Sequence, residues 1–261
     1  MPTRAPTGFA ARVRATISDR QFTMKAYQIV SDDGIDALAL NELDVPRPGP
    51  DEVLVRINAS SINYRDLSTI EQPVPRGIRY PRIPNSDGAG DVVEIGERVT
   101  RFRPGDRVCG IFFQDWIDGE LTVAHTDNML GGTAEGMLAE YRVLPQAGLV
   151  ATPGYLSDVE AATLPCAALT AWNSLVEFGR VTAGSTVLLL GTGGVSVFAQ
   201  QLCNILGART IVTSSSDEKL ARIRKLGAWQ TVNYRTNPDW DAAVIELTQG
   251  RGVDHTVEVG G

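Results

Sequence analysis

Thr186-Val187-Leu188-Leu189-Leu190-Gly191-Thr192-Gly193-Gly194-Val195-Ser196 decides the fold of this 261-residue chain. Val187 to Leu190 are an apolar run too short for a helix, and they read as a strand buried on both faces, as in a parallel sheet. A glycine turn comes next. From Val195 onward, apolar residues recur with helical spacing at Phe198, Ala199, Leu202, Cys203, Ile205 and Leu206. Gly207 stands where a helix prefers to end. Strand, turn and helix together place free backbone N–H groups and the positive end of a helix dipole at one spot, which suits a diphosphate. Gly191 permits the tight turn and Gly193 lets the backbone approach a pyrophosphate, so Gly191, Gly193, Gly194 and Val195 are the expected contacts. Ser196 replaces the third glycine of the G-x-G-x-x-G fingerprint, and the glycines alone also fit a plain strand–helix turn.

The residues beyond Gly207 extend the pattern. Arg209 to Thr213 form a second strand, and Ser215-x-x-Glu218 reads as a capping box opening a second helix. Leu220, Ile223 and Leu226 supply its apolar face and Gly227 stops it. Thr231 to Asn233 are a third short strand. Asn237-Pro238 cap and start another helix, with Trp240, Val244 and Leu247 inward and Gly250 after its end. Val253 to Val259 make a fourth strand. This alternation predicts a doubly wound parallel sheet. At the end of the second strand, an acidic residue would hold the ribose 2′-hydroxyl of NAD and repel a 2′-phosphate. The chain has Thr213-Ser214-Ser215-Ser216 there, with Lys219 one turn on and Tyr234-Arg235 after the third strand. Hydroxyls and cations can bind a 2′-phosphate, so NADP(H) is favoured over NAD(H), with Ser214, Ser215, Lys219 and Tyr234 as expected contacts. Ordinary capping and solvation account for the same residues, with Ser215 as the helix cap.

The formal charge of −7 and the lack of a basic stripe argue against nucleic acid as a partner. No apolar run is long enough to cross a membrane. Cys109, Cys166 and Cys203 are odd in number and widely separated, which suggests a reducing, cytoplasmic setting without a disulfide framework. Residues 1–23 stand apart, with Arg4, Arg12, Arg14 and Arg20 against a single Asp19. They read as a transit peptide or, preferred here, as a misplaced start or disordered tail ahead of Met24. Over 24–150 the signals are β-type: Glu52 to Asn58 with Val53, Val55 and Ile57 on one face, Asp91 to Ile95, Arg107 to Gly110 after the Pro104-Gly105-Asp106 turn, and Glu140 to Leu144. Many short strands with Gly and Pro turns predict a small, partly open barrel. Residues 112–136 read as a long surface loop. A capping box at Ser157-x-x-Glu160 opens a helix that continues over Ala161 to Phe178, interrupted at Pro165, and links the barrel to the second half of the chain.

Val53-Leu54-Val55-Arg56, Asn63-Tyr64-Arg65-Asp66, Asp87-Gly88-Ala89-Gly90-Asp91-Val92-Val93, Pro104-Gly105-Asp106-Arg107-Val108 and Gly191-Thr192-Gly193-Gly194-Val195 occur in that order. Together they resemble the medium-chain dehydrogenase/reductase superfamily, in its zinc-independent, quinone-oxidoreductase-like branch that is often called zinc-type alcohol dehydrogenase-like. The resemblance runs from Met24 to the last residue. It implies an α/β plus β fold: a GroES-like, partly open β-barrel domain over 24–150, then a linking helix and a Rossmann domain over 151–261. That domain is expected to be incomplete, because strands five and six have no sequence here; a longer parent would dimerise through the sixth strand.

In the zinc-containing members a Cys stands at Asn63, a His at Ser86 and a third ligand at Cys166. One thiolate cannot make a catalytic zinc site, which needs three protein ligands. Residues 111–140 contain no cysteine, His125 and His255 lie far from the ligand positions, and Cys166 reads as a small buried residue. The expectation is no zinc. Without a Lewis acid, a small-molecule substrate that delocalises charge itself is favoured: a quinone or an α,β-unsaturated carbonyl, taking hydride from nicotinamide C4 and then a proton. The resemblance assigns Tyr64 as hydrogen-bond or proton donor to the substrate oxygen, with Asn63 assisting; Tyr64 packed against its loop is the alternative. Arg65 and Asp66 are expected to brace the segment. Thr170 matches a nicotinamide contact, unless its hydroxyl bonds back to its own helix. An alcohol or aldehyde dehydrogenase and a non-catalytic nucleotide-binding protein are the competing functions.

Overall fold

The computed structural model describes residues 22–260. The chain divides into two compact units, Met1–Cys166 and Ala167–Gly261. The tail expected over residues 1–23 falls, up to residue 21, outside the described residues. The first strand, β1, is Thr23–Ile29 and pairs antiparallel with β2, Leu38–Asp44, while the Phe22 carbonyl accepts the Val45 N–H at 2.8 Å.

The remaining strands of the first unit are β3 Glu52–Ser61, β4 Asp87–Ile95, β5 Arg107–Gly110, β6 Tyr141–Pro145 and β7 Leu149–Ala151. They form one antiparallel sheet in the order β6-β3-β4-β5-β7. Two register shifts along β3 curl the sheet, as bulges do. Val53, Val55, Val92, Val108, Leu144 and Leu149 then point into one core with Leu130 and Met137. This is the expected partly open barrel. Leu54 is as fully buried as its neighbours, so β3 lacks the half-exposed alternation expected of it. A surface loop over 112–136 holds only in its middle. Val123 is 83% exposed, but Gln114 and Leu130 are buried, and Val123–Asn128 form a 3₁₀ turn. Leu130 joins the barrel core, and Gln114 donates to the Gly148 carbonyl at 3.1 Å.

Helix α1, Tyr64–Glu71, comes after β3, with Asn63 at its N-cap. Helix α2, Asp158–Ala161, opens on the expected Ser157–Glu160 capping box. Arg107 donates to Asp158 at 2.9 Å and Asn58 donates to it at 2.8 Å, pinning α2 to β5 and β3. The helix expected to run on to Phe178 is broken instead. Wide, π-type turns over Leu164–Ala168 and Asn173–Phe178 flank α3, Leu169–Trp172. Pro165 has no N–H to give the preceding turn, which favours such a break.

The second unit carries β8 Thr186–Leu189, α4 Gly194–Leu206, β9 Arg209–Ser214, α5 Asp217–Lys225, β10 Gln230–Asn233, α6 Trp240–Leu247 and β11 His255–Val257. The sheet is parallel, in the order β10-β9-β8-β11. Successive residues of β8 face opposite ways. Val187 and Leu189 meet Ala199, Cys203, Leu220 and Ile223 of α4 and α5 on one face, while Leu188 meets Ile211, Val232 and the α6 residue Val244 on the other. Each such buried aliphatic side chain contributes about 1.5–3 kcal/mol, which is why the apolar run settles as a central, doubly covered strand.

Local details differ from the sequence expectation. Gly207 does end α4, at φ 71°, but Ile205 is 81% exposed: it falls beyond the edge of the packed stripe. Leu226 is likewise 40% exposed, just past α5. Ser216, not Ser215, caps α5, accepting the Lys219 N–H, because Ser214 Oγ takes the Ser216 N–H and delays the helix by one residue. Helix α6 begins at Trp240 behind Asp239, two residues later than expected, and the Asn237 N–H donates instead to the Asn233 carbonyl in a turn after β10. The fourth strand is shorter, pairing with β8 only over His255 to Val257.

Candidate functional site

Two groups of predicted residues assemble, one in each unit. In the second, β8 delivers the chain to Gly191, whose φ of 82° suits a residue without a Cβ and whose N–H reaches Thr213 Oγ1 at 3.3 Å. Gly193 is the extended N-cap of α4 and supplies no side-chain cap, so the first-turn N–H groups of the helix are left for another acceptor. A Cβ built at Gly191 or Gly193 would meet nothing within 4 Å, while one at Gly194 would touch Ala167 at 3.4 Å. The space over Gly191 and Gly193 is therefore open. Ser196 fills the third fingerprint position without loss: its buried hydroxyl donates to the Leu190 carbonyl at 3.1 Å, tying helix to strand.

At the end of β9, Ser214 is buried and its Oγ lies 3.5 Å from Thr192 Oγ1. The Ser214 carbonyl accepts the Tyr234 N–H at 3.1 Å, which brings the half-exposed Tyr234 to the same sheet end. Ser215 is partly exposed beside it and Lys219 is exposed one turn into α5. An acid that the sequence pattern did not single out, Asp217, opens α5, but its Oδ1 is held by Asn233 Nδ2 at 2.7 Å. Thr170 sits in α3, where its carbonyl takes the Ser174 hydroxyl.

The strand bearing this turn is anchored at its start. The Thr186 N–H donates to Asp254 Oδ2 at 2.7 Å, and Arg251 donates to Oδ1 at 2.6 Å. The Arg251 bond and then the Thr186 N–H hold the Asp254 carboxyl down at about 2. A carboxyl lowered on folding stabilises above its unfolded pKa and loses that effect as pH falls through the folded one. The urea midpoint of Asp254→Asn should therefore lie below wild type near neutrality. The gap should close between about pH 4 and pH 2, as titration of a lone carboxyl at about 3.9 gives way to the lowered value. A gap that persists at the acid end would contradict this.

The first unit gathers Asn63, Asp66, Ser86, Asp87 and Cys166. Asp66 is buried, accepting the Asn63 N–H at 2.8 Å and the Ser86 N–H at 3.2 Å and pairing with Arg65 at 3.0 Å. Arg65 also donates to the Leu130 and Gly131 carbonyls and lies over the Phe112 ring at 5.0 Å, so Arg65 and Asp66 brace the segment as expected. Asp87 is fully enclosed. Ser86 Oγ donates to its Oδ1 at 2.7 Å and the Cys166 N–H to its Oδ2 at 3.0 Å. Burial pushes the Asp87 carboxyl up, opposed by these bonds and by the facing Asn63 carboxamide. The Cys166 thiol is pushed up to about 12, by burial first and then by Asp87 and Asp66, so it stays protonated at neutral pH. Tyr64, by contrast, is 78% exposed at the first turn of α1. Sequence reasoning missed Asp87. Its signal was an acid opening a strand of small residues, Asp87-Gly88-Ala89-Gly90, where only a partnered carboxylate can be buried.

Among the described residues no helix is long and apolar enough to cross a membrane. Residues 49–154 match the family model of the alcohol dehydrogenase GroES-like domain, and residues 194–261 match that of the zinc-binding dehydrogenases. A zinc-type alcohol dehydrogenase-like protein of Schizosaccharomyces pombe is 47% identical over 233 residues, covering 87% of this chain and 67% of that protein. A solved NAD-dependent alcohol dehydrogenase is 38% identical with a TM-score of 0.81, covering 89% of this chain and 70% of its own. A quinone oxidoreductase of Pseudomonas syringae pv. tomato is 32% identical with a TM-score of 0.74, covering 88% and 64%. The chain spans about two thirds of the length of the curated relatives it matches. Barrel, parallel sheet, glycine turn and these likenesses agree: the chain belongs to the medium-chain dehydrogenase/reductase superfamily.

Proposed function

We propose that this chain serves an NADP(H)-dependent, zinc-independent reduction of a quinone or an α,β-unsaturated carbonyl. The observation that carries the proposal is the donor set around Asp87. A carboxamide (Asn63) and a hydroxyl bonded to Asp87 (Ser86) leave the Cys166 thiol as a single ligand, and this set does not fit a zinc ion, which takes three protein ligands in catalytic sites. Among the described residues no three His, Cys, Asp or Glu side chains are grouped to hold a metal.

Nicotinamide dinucleotide fits the second unit. Gly191, Gly193, Gly194 and Val195 would take the pyrophosphate on backbone N–H groups, and Thr170 would border the nicotinamide. Ser214, Ser215, Lys219 and Tyr234 would take the 2′-phosphate. The chemistry supplied by the bound cofactor is a hydride. The protein's own part is polar: Asn63 donates a hydrogen bond to the substrate oxygen, and Tyr64 hands that oxygen, or the carbon that becomes basic, a proton that solvent replaces. Tyr64's exposure suits this resupply. Cysteine usage supports a reducing, cytoplasmic setting.

The names of the relatives keep alcohol oxidation as a second reading, and one solved relative is named as NAD-dependent. A panel of 1,4-benzoquinone, an enone and a primary alcohol, run with both cofactors alongside metal analysis, separates them. Reduction of the quinone or enone without stoichiometric zinc is the expected result. Alcohol oxidation that tracks bound zinc would overturn the proposal.

A further inference from the structure

The first turn of α5 carries two acids, Asp217 and Glu218, between Ser215 and Lys219. Those flanking residues are two of the four proposed to take the 2′-phosphate. An acid in a first helical turn is drawn toward the positive end of the helix dipole, which is also where a phosphate settles. A carboxylate free to swing there would accept the ribose 2′-hydroxyl of NAD and repel the phosphate of NADP. Such a chain would favour NADH, unless both acids are held elsewhere.

Both are held. Glu218 Oε1 takes Arg222 Nη2 at 2.5 Å, one turn further along the helix. Lys219 forms no ion pair among the described residues, so neither acid neutralises it. Asp217 Oδ1 takes Asn233 Nδ2 at 2.7 Å. Asn233 ends β10 in register with Ser214, so the bond crosses from α5 to the sheet beside the proposed phosphate contacts. The carboxamide is not free to turn round, because its Oδ1 accepts the Arg235 N–H at 3.0 Å and leaves the NH₂ end for Asp217. The Asn233 backbone is fixed as well: its carbonyl accepts the Asn237 N–H at 2.9 Å and the Thr236 hydroxyl at 3.3 Å. Capping does not explain the bond, since Ser216 already caps α5 by accepting the Lys219 N–H.

We infer that Asn233 is a positioning residue for cofactor choice: it holds the Asp217 carboxylate against the end of β10, and so keeps that acid out of the place a 2′-phosphate would occupy. This rests on the proposed 2′-phosphate contacts at Ser214, Ser215, Lys219 and Tyr234. Asn233 acts through Asp217 and needs no contact with the cofactor.

The test is a double-mutant cycle in the intact chain, read as the affinities for NADPH and NADH. Asn233→Ala should weaken NADPH about tenfold and leave NADH no weaker than about half its wild-type affinity. In the Asp217→Ala background, Asn233→Ala should change NADPH binding by less than about twofold, because no carboxylate is left to release. Lost stability alone would weaken both cofactors together, so equal weakening overturns the inference, as does unchanged NADPH binding in Asn233→Ala. Asp217→Ala by itself changes only an exposed residue and keeps the question open to test if Asn233→Ala does not fold. It should stay within about twofold of wild type for NADPH. A tenfold loss there would mean that the bond merely spaces α5 from β10, and a tenfold gain would mean that Asp217 is not held away; either overturns the inference. A wild-type chain that binds NADH more tightly, with the Asn233→Ala shift still present and still cancelled by Asp217→Ala, would instead sink the NADP(H) assignment and leave the role of Asn233 standing.

Discussion

Gly193→Val should unfold at a urea concentration close to that of wild type and lose about a hundredfold or more in NADPH affinity. The backbone at Gly193 is extended, a conformation any residue adopts, and an added Cβ meets nothing within 4 Å. The substitution is thus nearly free for the fold. It is costly for a ligand, because a β-branched side chain occupies the open space beside the first-turn N–H groups of α4. Two lost bonds to a charged oxygen, at about 1.5–3 kcal/mol each, amount to at least a hundredfold in affinity. Gly191→Val makes the contrast: at φ 82° any side chain is strained, so about 1–2 kcal/mol of stability should go as well. Paired denaturation and fluorescence titrations read both quantities. If Gly193→Val binds NADPH normally, the pyrophosphate does not lie over this turn.

The largest loss of stability is expected from Asp66→Ala, at about 3–5 kcal/mol, in the range for removing one partner of a buried ion pair. Three consequences act together. The Asn63 and Ser86 N–H groups lose their acceptor, and Arg65, only 18% exposed, loses its carboxylate partner and keeps its charge against the Leu130 and Gly131 carbonyls, the Met129 sulfur and the Phe112 ring. Asp66→Asn, which retains one acceptor oxygen, should fall between that variant and wild type. Urea unfolding with an unchanged m-value measures the difference. A loss below about 1 kcal/mol would place these bonds among solvent-screened surface pairs instead.

Much of the fold is legible in the sequence because its signals are local and redundant. Val187, Leu188 and Leu189 read as a doubly covered strand since both faces demand apolar side chains, and the two cores they enter bear this out. The Ser157–Glu160 box and Gly207 depend on neighbours within a turn. The cap of α5 is ambiguous in sequence because consecutive hydroxyl residues offer equivalent chemistry, and the choice of Ser216 depends on a bond from its own N–H to Ser214. Ile205 misleads because periodicity gives a stripe without its edge.

The candidate site is legible where it is made of one segment, as at Gly191 to Ser196. It is illegible where it is made across the chain. The bond that seats Asp87 comes from Cys166, 79 residues away, and nothing near either residue announces it. The absent ligands at Asn63 and Ser86 can be read singly, but not the carboxylate they surround.

One titration tests the central claim most directly: binding of NADPH and of NADH to the chain, followed by fluorescence under identical salt. The hydroxyl-rich end of β9, with Lys219 and Tyr234 beside it, predicts saturable binding of both, with NADPH tighter by about tenfold, as one charge-assisted contact to the 2′-phosphate would give. Tighter binding of NADH would contradict the cofactor assignment, and no binding of either would contradict the reading of the glycine turn itself.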